Sequence, residues 1–286
     1  MLVCYHPQPD DVEAITALAS TYKGVIVDNS ECVHFTGSKV GRMSYLPQYE
    51  NRGIAEAQNQ AVERLLQDEE VEYIIFLDQD SRTEPDFPIR MMEAYEQLAS
   101  HRKLALLGPR IVDKRSGEHT SSTLHREKKN ADGFIPMRDV ISSGSVVPVS
   151  VMKTVGRMRA SMFIDYVDFE WCWRAEKMGY VCGITDTVTL RHKVGEREIR
   201  IGRYTIQVWS AFRYFYQYRN YLWLCRLAYV PTQWKLATGV KLLARMVYFP
   251  LLVSGGREMV REMVRGVRAS MRDYAQFEKE IEGHEG

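Results

Sequence analysis

The sequence predicts an α/β fold: a mostly parallel central sheet flanked by helices, with an amphipathic helical extension at the C-terminal end. Three observations carry this. Short apolar runs with polar ends alternate with helix-length segments through the N-terminal half, the β–α–β–α order that builds parallel sheets. The runs at 24–27 and 73–77 are apolar throughout, as strands covered on both faces require. After Tyr204 the character changes, and aromatic residues interleave with arginines. The chain therefore divides at 203/204 into an α/β domain (1–203) and a basic helical region (204–286).

The elements follow in order. Residues 2–5 form an apolar strand ended by His6-Pro7-Gln8-Pro9, and Asp10 or Asp11 caps a helix to about 22. The strand over 24–30 ends in Asp28-Asn29-Ser30, and a short strand covers 40–45. Asn51-Arg52-Gly53 turns into a helix over 54–67. The strand over 73–77 runs into Asp78-Gln79-Asp80. A helix follows over 85–100, then a strand over 104–107 stopped by Gly108-Pro109. Residues 111–133 are polar and read as a loop. A strand-like segment over 140–150 contains Ser142-Ser143-Gly144 and leads into a short helix ending at Gly156. A helix spans 165–178 up to Gly179, and a last strand covers 188–192.

Length and composition allow one large α/β domain or one domain with an appendage: 286 residues, 45% hydrophobic, net charge +1. The charge is uneven, since residues 191–272 carry 16 Lys and Arg against 4 Asp and Glu. Such asymmetry suggests an anionic partner. These cations sit among long apolar runs, which disfavours nucleic acid and favours an interfacial membrane helix, with ordinary surface helices packed on the main domain as the alternative. No charge-free stretch reaches the roughly 18–20 residues needed to span a bilayer. The five cysteines are scattered, form no C-x-x-C pair, and read as neither a disulfide framework nor a zinc pattern. With no signal-peptide pattern at the start, this points to the cytoplasm.

Four constellations carry chemistry. An apolar strand ending in Asp78-x-Asp80 places two carboxylates at the carboxyl edge of a sheet, where a hard cation shared with a diphosphate can sit; an Asp/Ser turn is the competing reading. Asp28 ends another strand and can accept from the imide of uracil or thymine, or simply form a turn with Asn29. Asp165 to Arg174 is the densest acidic and aromatic cluster; an acid there can serve as general base or complement the helix dipole. His192 ends the last strand, and a neutral imidazole suits a divalent metal.

Together with Val3-Cys4-Tyr5-His6-Pro7, Asn51-Arg52-Gly53-Ile54-Ala55, Ser142-Ser143-Gly144, His192-Lys193-Val194-Gly195 and Tyr218-Arg219-Asn220, these segments resemble the family 2 glycosyltransferases of the GT-A fold, the rhamnosyltransferase-like branch above all. The resemblance implies that Asp80 and His192 hold Mg²⁺ or Mn²⁺, with Asp78 near the ribose. It implies that Tyr5, Pro7, Asp28, Asn51, Gly53, Asp78 and Arg219 contact a nucleotide-sugar donor, with Asp28 on the base. Asp168 would be the catalytic base, and Ser143, Gly144, Asp165, Glu170 and Trp171 would meet the acceptor. Relatives often carry Glu-Asp where Val167-Asp168 stands, which keeps Asp165 and Glu170 in view as lesser bases. The Asp-Gln-Asp form and the late Arg-Asn point to dTDP-β-L-rhamnose as donor. The implied acceptor is a lipid-linked glycan of bacterial surface polysaccharide, at the inner face of the cell membrane. A UDP-hexose transferase, a GT-A nucleotidyltransferase and a non-catalytic binding protein are the alternatives; the second usually has a Gly-rich basic loop where His6-Pro7-Gln8-Pro9 stands.

Overall fold

A computed structural model describes residues 1–113, 130–192, 197–201 and 204–283, without the side chains of 113, 192, 197–198, 200–201 and 204–205. The chain begins with β1 (Leu2–Cys4), α1 (Pro9–Thr21) and β2 (Gly24–Asp28). Then come β3 (Lys39–Val40), β4 (Met43–Pro47), α2 (Ile54–Leu65), β5 (Tyr73–Ile75) and β6 (Leu77–Asp78). Next are α3 (Phe87–Ala99), β7 (Leu104–Asp113), β8 (Phe134–Pro136), β9 (Val146–Pro148) and α4 (Val149–Val155). A 3₁₀ turn (Ala160–Met162), α5 (Val167–Lys177) and β10 (Val181–His192) complete the α/β part. The hairpin β11 (Arg197–Ile201) and β12 (Tyr204–Val208) precedes four helices: α6 (Ala211–Cys225), α7 (Thr232–Leu252), α8 (Gly256–Arg272) and α9 (Tyr274–Glu282).

The strands form two five-stranded sheets, β3-β4-β2-β1-β6 and β5-β9-β7-β10-β8. The first is parallel apart from β3, and the second is mixed. They meet within one stretch of chain. Leu77 N–H donates to Met1 O at 3.0 Å on one side, and Phe76 N–H donates to Ser145 O at 2.9 Å on the other. Residues 73–78 thus act as a single strand that lends its edges to both sheets, and its end is fixed from two directions. Side-chain alternation serves both faces: Val3, Val25 and Val27 join Ala55, Ala57 and Trp171 on one side, while Leu2, Cys4 and Ile26 join Ile15, Phe87 and Met91 on the other.

Several elements depart from the sequence reading. β7 runs through Gly108-Pro109 instead of stopping there. Its pairing with β9 is confined to Leu107↔Val146, and β10 shifts register between Ile184 and Thr189, so Pro109 removes no ladder donor that either neighbour needs. A Cβ at Gly108 would sit 2.7 Å from Val140 Cγ1, which explains glycine there. Only Val146–Pro148 of the 140–150 segment is a strand; Ser142-Ser143-Gly144 is a turn, with Gly144 at φ +78°. The sequence reading contains no hairpin of β11 and β12, and the division at 203/204 falls between these two strands.

The C-terminal helices share the main core. Trp223, Leu224, Leu227, Val230, Trp234 and Phe277 pack in the same cluster as Val3 and Trp171. α6 and α8 approach closely, because a Cβ at Gly266 would overlap the Phe215 carbonyl. Trp223 Nε1–H donates to Ser270 O at 2.9 Å, and the Tyr218 hydroxyl to Leu242 O at 2.6 Å. Among the described residues, no helix is long and apolar enough to cross a membrane.

Candidate active site

The Asp-Gln-Asp step closes a tight turn at the carboxyl end of β6. Ser81 N–H donates to Asp78 O at 3.0 Å, and Asp78 N–H donates to Ser81 Oγ at 3.2 Å. Gln79 Oε1 accepts from Tyr5 N–H at 2.6 Å, which ties the end of β1 to this turn. Arg82 donates to Gln79 O at 2.8 Å and to Asp11 Oδ1 at 2.6 Å. An antiparallel bridge between Arg82 and Arg191 lays the end of β10 beside the turn. The backbone of His192 pairs with Asp113, but its side chain lies outside the described residues.

Asp78 and Asp80 are half-buried at this sheet edge. Carboxylate oxygens are the donors that Mg²⁺ or Mn²⁺ prefers, and the charge of Asp78 is felt by Asp168, so negative charge gathers here. The residues present fit a hard divalent cation.

Asp168 lies in the first turn of α5 and faces the same edge. Its Oδ2 accepts from Ser142 N–H at 3.2 Å and its Oδ1 from Phe169 N–H at 3.0 Å. The next residue, Ser143, holds Ser81 Oγ at 3.1 Å, and Gln58 Nε2–H donates to Ser142 Oγ at 3.1 Å. The Ser142-Ser143 turn therefore couples the Asp78-Gln79-Asp80 turn to the acid on α5. Burial pushes the Asp168 carboxyl up to about 6; the backbone N–H groups of Ser142 and Phe169 offset part of that, and the Asp78 charge adds to the rise. A carboxylate tuned this way exchanges a proton near neutral pH.

The segment before α5 is strained. Phe163, Asp165 and Tyr166 have φ of 65°, 68° and 63°. Helix α6 holds it in place. Asn220 Nδ2 donates to Met162 O and Ile164 O, each at 2.8 Å, and to Asp165 O at 3.1 Å. Arg219 Nη2 donates to Ser161 O at 2.6 Å, and Arg213 pairs with Asp165 at 2.6 Å. Gly53, at φ +82°, admits Phe163 against the start of α2, where a Cβ would lie 2.6 Å from the Phe163 ring.

The expected contact residues differ in burial and in the partners that folding gives them. Asp28 is fully buried: its Oδ1 accepts from Ser30 N–H, and its Oδ2 from His34 N–H, His34 Nδ1–H and the Tyr45 hydroxyl. Burial pushes its carboxyl up, but the bonds from Ser30, Tyr45 and His34 outweigh this and hold it below its ordinary value. Through these bonds it organises the 29–34 loop. Arg219 is buried on the loop carbonyls and stacked among Tyr216 and Trp223. Pro7 and Gly53 are buried, whereas Tyr5 is exposed and Asn51 is half-buried. Asn51 Oδ1 accepts from Asn29 Nδ2–H at 3.0 Å, pinning the end of β2 to α2.

The residues expected at the acceptor are the most enclosed. Glu170 is wholly buried, bound to Arg174 at 3.0 Å, with Arg159 at 3.6 Å and the Tyr229 hydroxyl donating at 2.6 Å. Trp171 is wholly buried and donates to Gly156 O at 2.8 Å. The carboxylate of Asp165 is largely covered by Arg213. Ser143 and Gly144 are buried and shape the coupling turn. Near the strained loop, the exposed Phe212 packs edge-on against Phe163 and Tyr216, which stack on each other at 4.6 Å.

Ser142, Ser81, Gln58 and Asn220 hold the site together, and the sequence reading gave none of them such a role. Their partners lie far away in sequence, and no local spacing signals them; only the Arg-Asn pair at 219–220 carried a hint.

No protein-family model matches the chain. It is 27% identical over 285 residues to the dTDP-rhamnosyl transferase RfbF of Shigella flexneri, covering 95% of this chain and 93% of that one. Among solved structures it superposes on S. aureus TarS 1–349 with a TM-score of 0.54 at 10% identity, covering 96% of this chain and 88% of the other. It also superposes on GalNAc-T7 with UDP, GalNAc and Mn²⁺, with a TM-score of 0.53 at 11% identity, covering 96% and 56%. The chain thus has the GT-A fold of these structures and resembles in sequence a dTDP-rhamnosyl transferase, as the rhamnosyltransferase-like branch of family 2 would.

Proposed function

We propose that the protein transfers L-rhamnose from dTDP-β-L-rhamnose, with inversion, to a hydroxyl of a lipid-linked glycan in bacterial surface-polysaccharide synthesis. The carrying observation is that the Ser142-Ser143 turn joins the half-buried Asp168 to the Asp78-Gln79-Asp80 turn. The donor sugar rests on the likeness to the Shigella flexneri transferase, whose name specifies dTDP-rhamnosyl transfer.

In this reading Asp168, ionised above about pH 6, accepts the proton of the acceptor hydroxyl. That oxygen forms its bond to the anomeric carbon while the bond to the diphosphate oxygen breaks on the opposite face, so dTDP leaves with the electron pair. Mg²⁺ or Mn²⁺ held by Asp80, with Asp78 beside it, would neutralise charge on the diphosphate when bound. Gln79 fixes the end of β1 through Tyr5 N–H, and Asn220 and Arg219 keep the α5 entry in its strained form.

A membrane-facing acceptor is supported by α7. Leu236, Val240, Leu243, Val247 and Leu251 recur at helical spacing and are 67–77% exposed. The surrounding region is strongly basic, which suits an anionic lipid surface. α7 starts next to the catalytic helix, with Trp234 5.1 Å from Tyr166, so a lipid-held acceptor would arrive near Asp168.

The test is a donor screen by thermal shift with Mn²⁺, followed by turnover on a lipid-linked acceptor. Stabilisation by dTDP-rhamnose above UDP-glucose, UDP-galactose and GDP-mannose is expected. Preference for a UDP-hexose would overturn the donor, and donor binding without transfer to any glycan would overturn the activity.

A further inference from the structure

A second group of metal-binding side chains lies at the ends of β1 and β2, built from chemistry unlike that of the Asp78-Gln79-Asp80 turn. Ligand atoms of His6, Cys32 and His34 all lie within 4.8 Å of one another. Cys32 Sγ is 3.8 Å from His34 Nε2. Zinc–sulfur and zinc–nitrogen bonds of about 2.3 and 2.0 Å at a tetrahedral angle place the two ligand atoms roughly 3.5 Å apart. The Cys32–His34 pair is thus nearly at coordination distance already, with a His6 ring nitrogen within 4.8 Å of both.

The outer partners are in place too. His34 Nδ1 lies 2.9 Å from Asp28 Oδ2. With the proton on Nδ1, the Nε2 lone pair is left for a metal, the carboxylate–histidine–metal arrangement that orients imidazole ligands. Asp28 is itself fixed by Tyr45 and Ser30. The His6 backbone sits at φ 47°, a conformation that a non-glycine residue adopts at a cost, and its N–H donates to Ser30 Oγ at 2.8 Å. That strain carries the His6 ring to the Cys32-Val33-His34 turn, where Nε2 contacts Glu31 Oε2 at 2.8 Å.

We propose that His6, Cys32 and His34 form a site for a thiophilic divalent cation such as Zn²⁺, with the Glu31 carboxylate or water in the fourth position and Asp28 as the outer partner of His34. One thiolate and two imidazoles select Zn²⁺ or Co²⁺ over Mg²⁺ and Mn²⁺, which favour the oxygen set at Asp78 and Asp80. The ion would staple the 29–34 loop to the end of β1, the strand whose next N–H, at Tyr5, is bound by Gln79. On the function proposed above, a staple there orders the loop beside the Asp78-Gln79-Asp80 turn and leaves the reacting centre to Asp168.

The experiment uses the full chain, stripped with chelator and titrated with Zn²⁺ or Co²⁺ alone in excess Mg²⁺. One equivalent is expected, with a thiolate-to-cobalt charge-transfer band in the Co²⁺ form. Asp28→Asn should weaken Zn²⁺ binding by roughly 10–100-fold, and Cys32→Ser and His34→Ala by more. Cys32 is exposed, so Cys32→Ser tests the site even where Asp28→Asn fails to fold. Asp80→Ala should leave the Zn²⁺ affinity unchanged. Zn²⁺ binding that survives both Cys32→Ser and His34→Ala, or a Co²⁺ form without the thiolate band, would overturn the proposal.

Discussion

Ser142 donates its backbone N–H to Asp168 Oδ2 at 3.2 Å, and this bond places the acid on α5 against the turn that adjoins the Asp78-Gln79-Asp80 edge. The bond favours the ionised form, yet burial dominates, and the carboxyl sits at about 6.

The pH dependence follows with a definite sign. Transfer should fall as pH drops through about 6, because the base is then protonated. The ordinary value of 3.8 applies to the unfolded chain, so the native state binds a proton more tightly than the unfolded state does. The stability linked to this group is fully present below about 3.8 and lost as pH rises through about 6, amounting to about 3 kcal/mol. Asp168→Asn should therefore raise the melting temperature at pH 7 while lowering kcat by about 10²–10⁴-fold. Near-normal turnover in that variant would remove Asp168 as the base.

Asn220→Ala should act at a distance. It strips a shared donor from the carbonyls of Met162, Ile164 and Asp165, a loss of about 1–3 kcal/mol. The strained entry to α5 then relaxes, and kcat should fall by up to about 100-fold while donor affinity, read by calorimetry, stays near wild type. Equal losses in kcat and donor affinity would point to general unfolding instead of misplacement of Asp168.

Glu170→Ala separates a structural acid from an acceptor ligand. It leaves Arg159 and Arg174 buried without their counter-charge, at a cost of roughly 3–5 kcal/mol. Denaturant unfolding should show that loss. A variant of unchanged stability with a raised acceptor KM would restore Glu170 to the acceptor site.

The α7 stripe predicts lipid binding. Replacing Leu243 and Val247 together by Glu removes two side chains that are each 68% exposed, and should leave fold and donor binding intact. Sedimentation with anionic vesicles should fall at least about tenfold, given roughly 1.5–3 kcal/mol per fully buried aliphatic side chain. Equal sedimentation of both proteins would argue against docking through this face.

The sequence by itself determined the α/β class, the strand ending at Asp78 and the helix carrying Asp168, because apolar periodicity and turn residues act over a few neighbours. The sheet partition was not legible, since residues 73–78 bond on both edges to strands distant in sequence. Nor was the fate of the other acids. Asp28, Asp165 and Glu170 look alike on paper, yet each is matched by partners from elsewhere: His34 and Tyr45, Arg213, and Arg159 with Arg174 and Tyr229. The nearness of His6 to Cys32 and His34 was not legible either, since spacing rules see only groups close in sequence, whereas the parallel pairing of Cys4 with Asp28 brings the ends of β1 and β2 together. Local chemistry names the groups that can ionise or coordinate. Which of them stay available is decided by desolvation and by the partners that folding supplies, and these exist only in the tertiary structure.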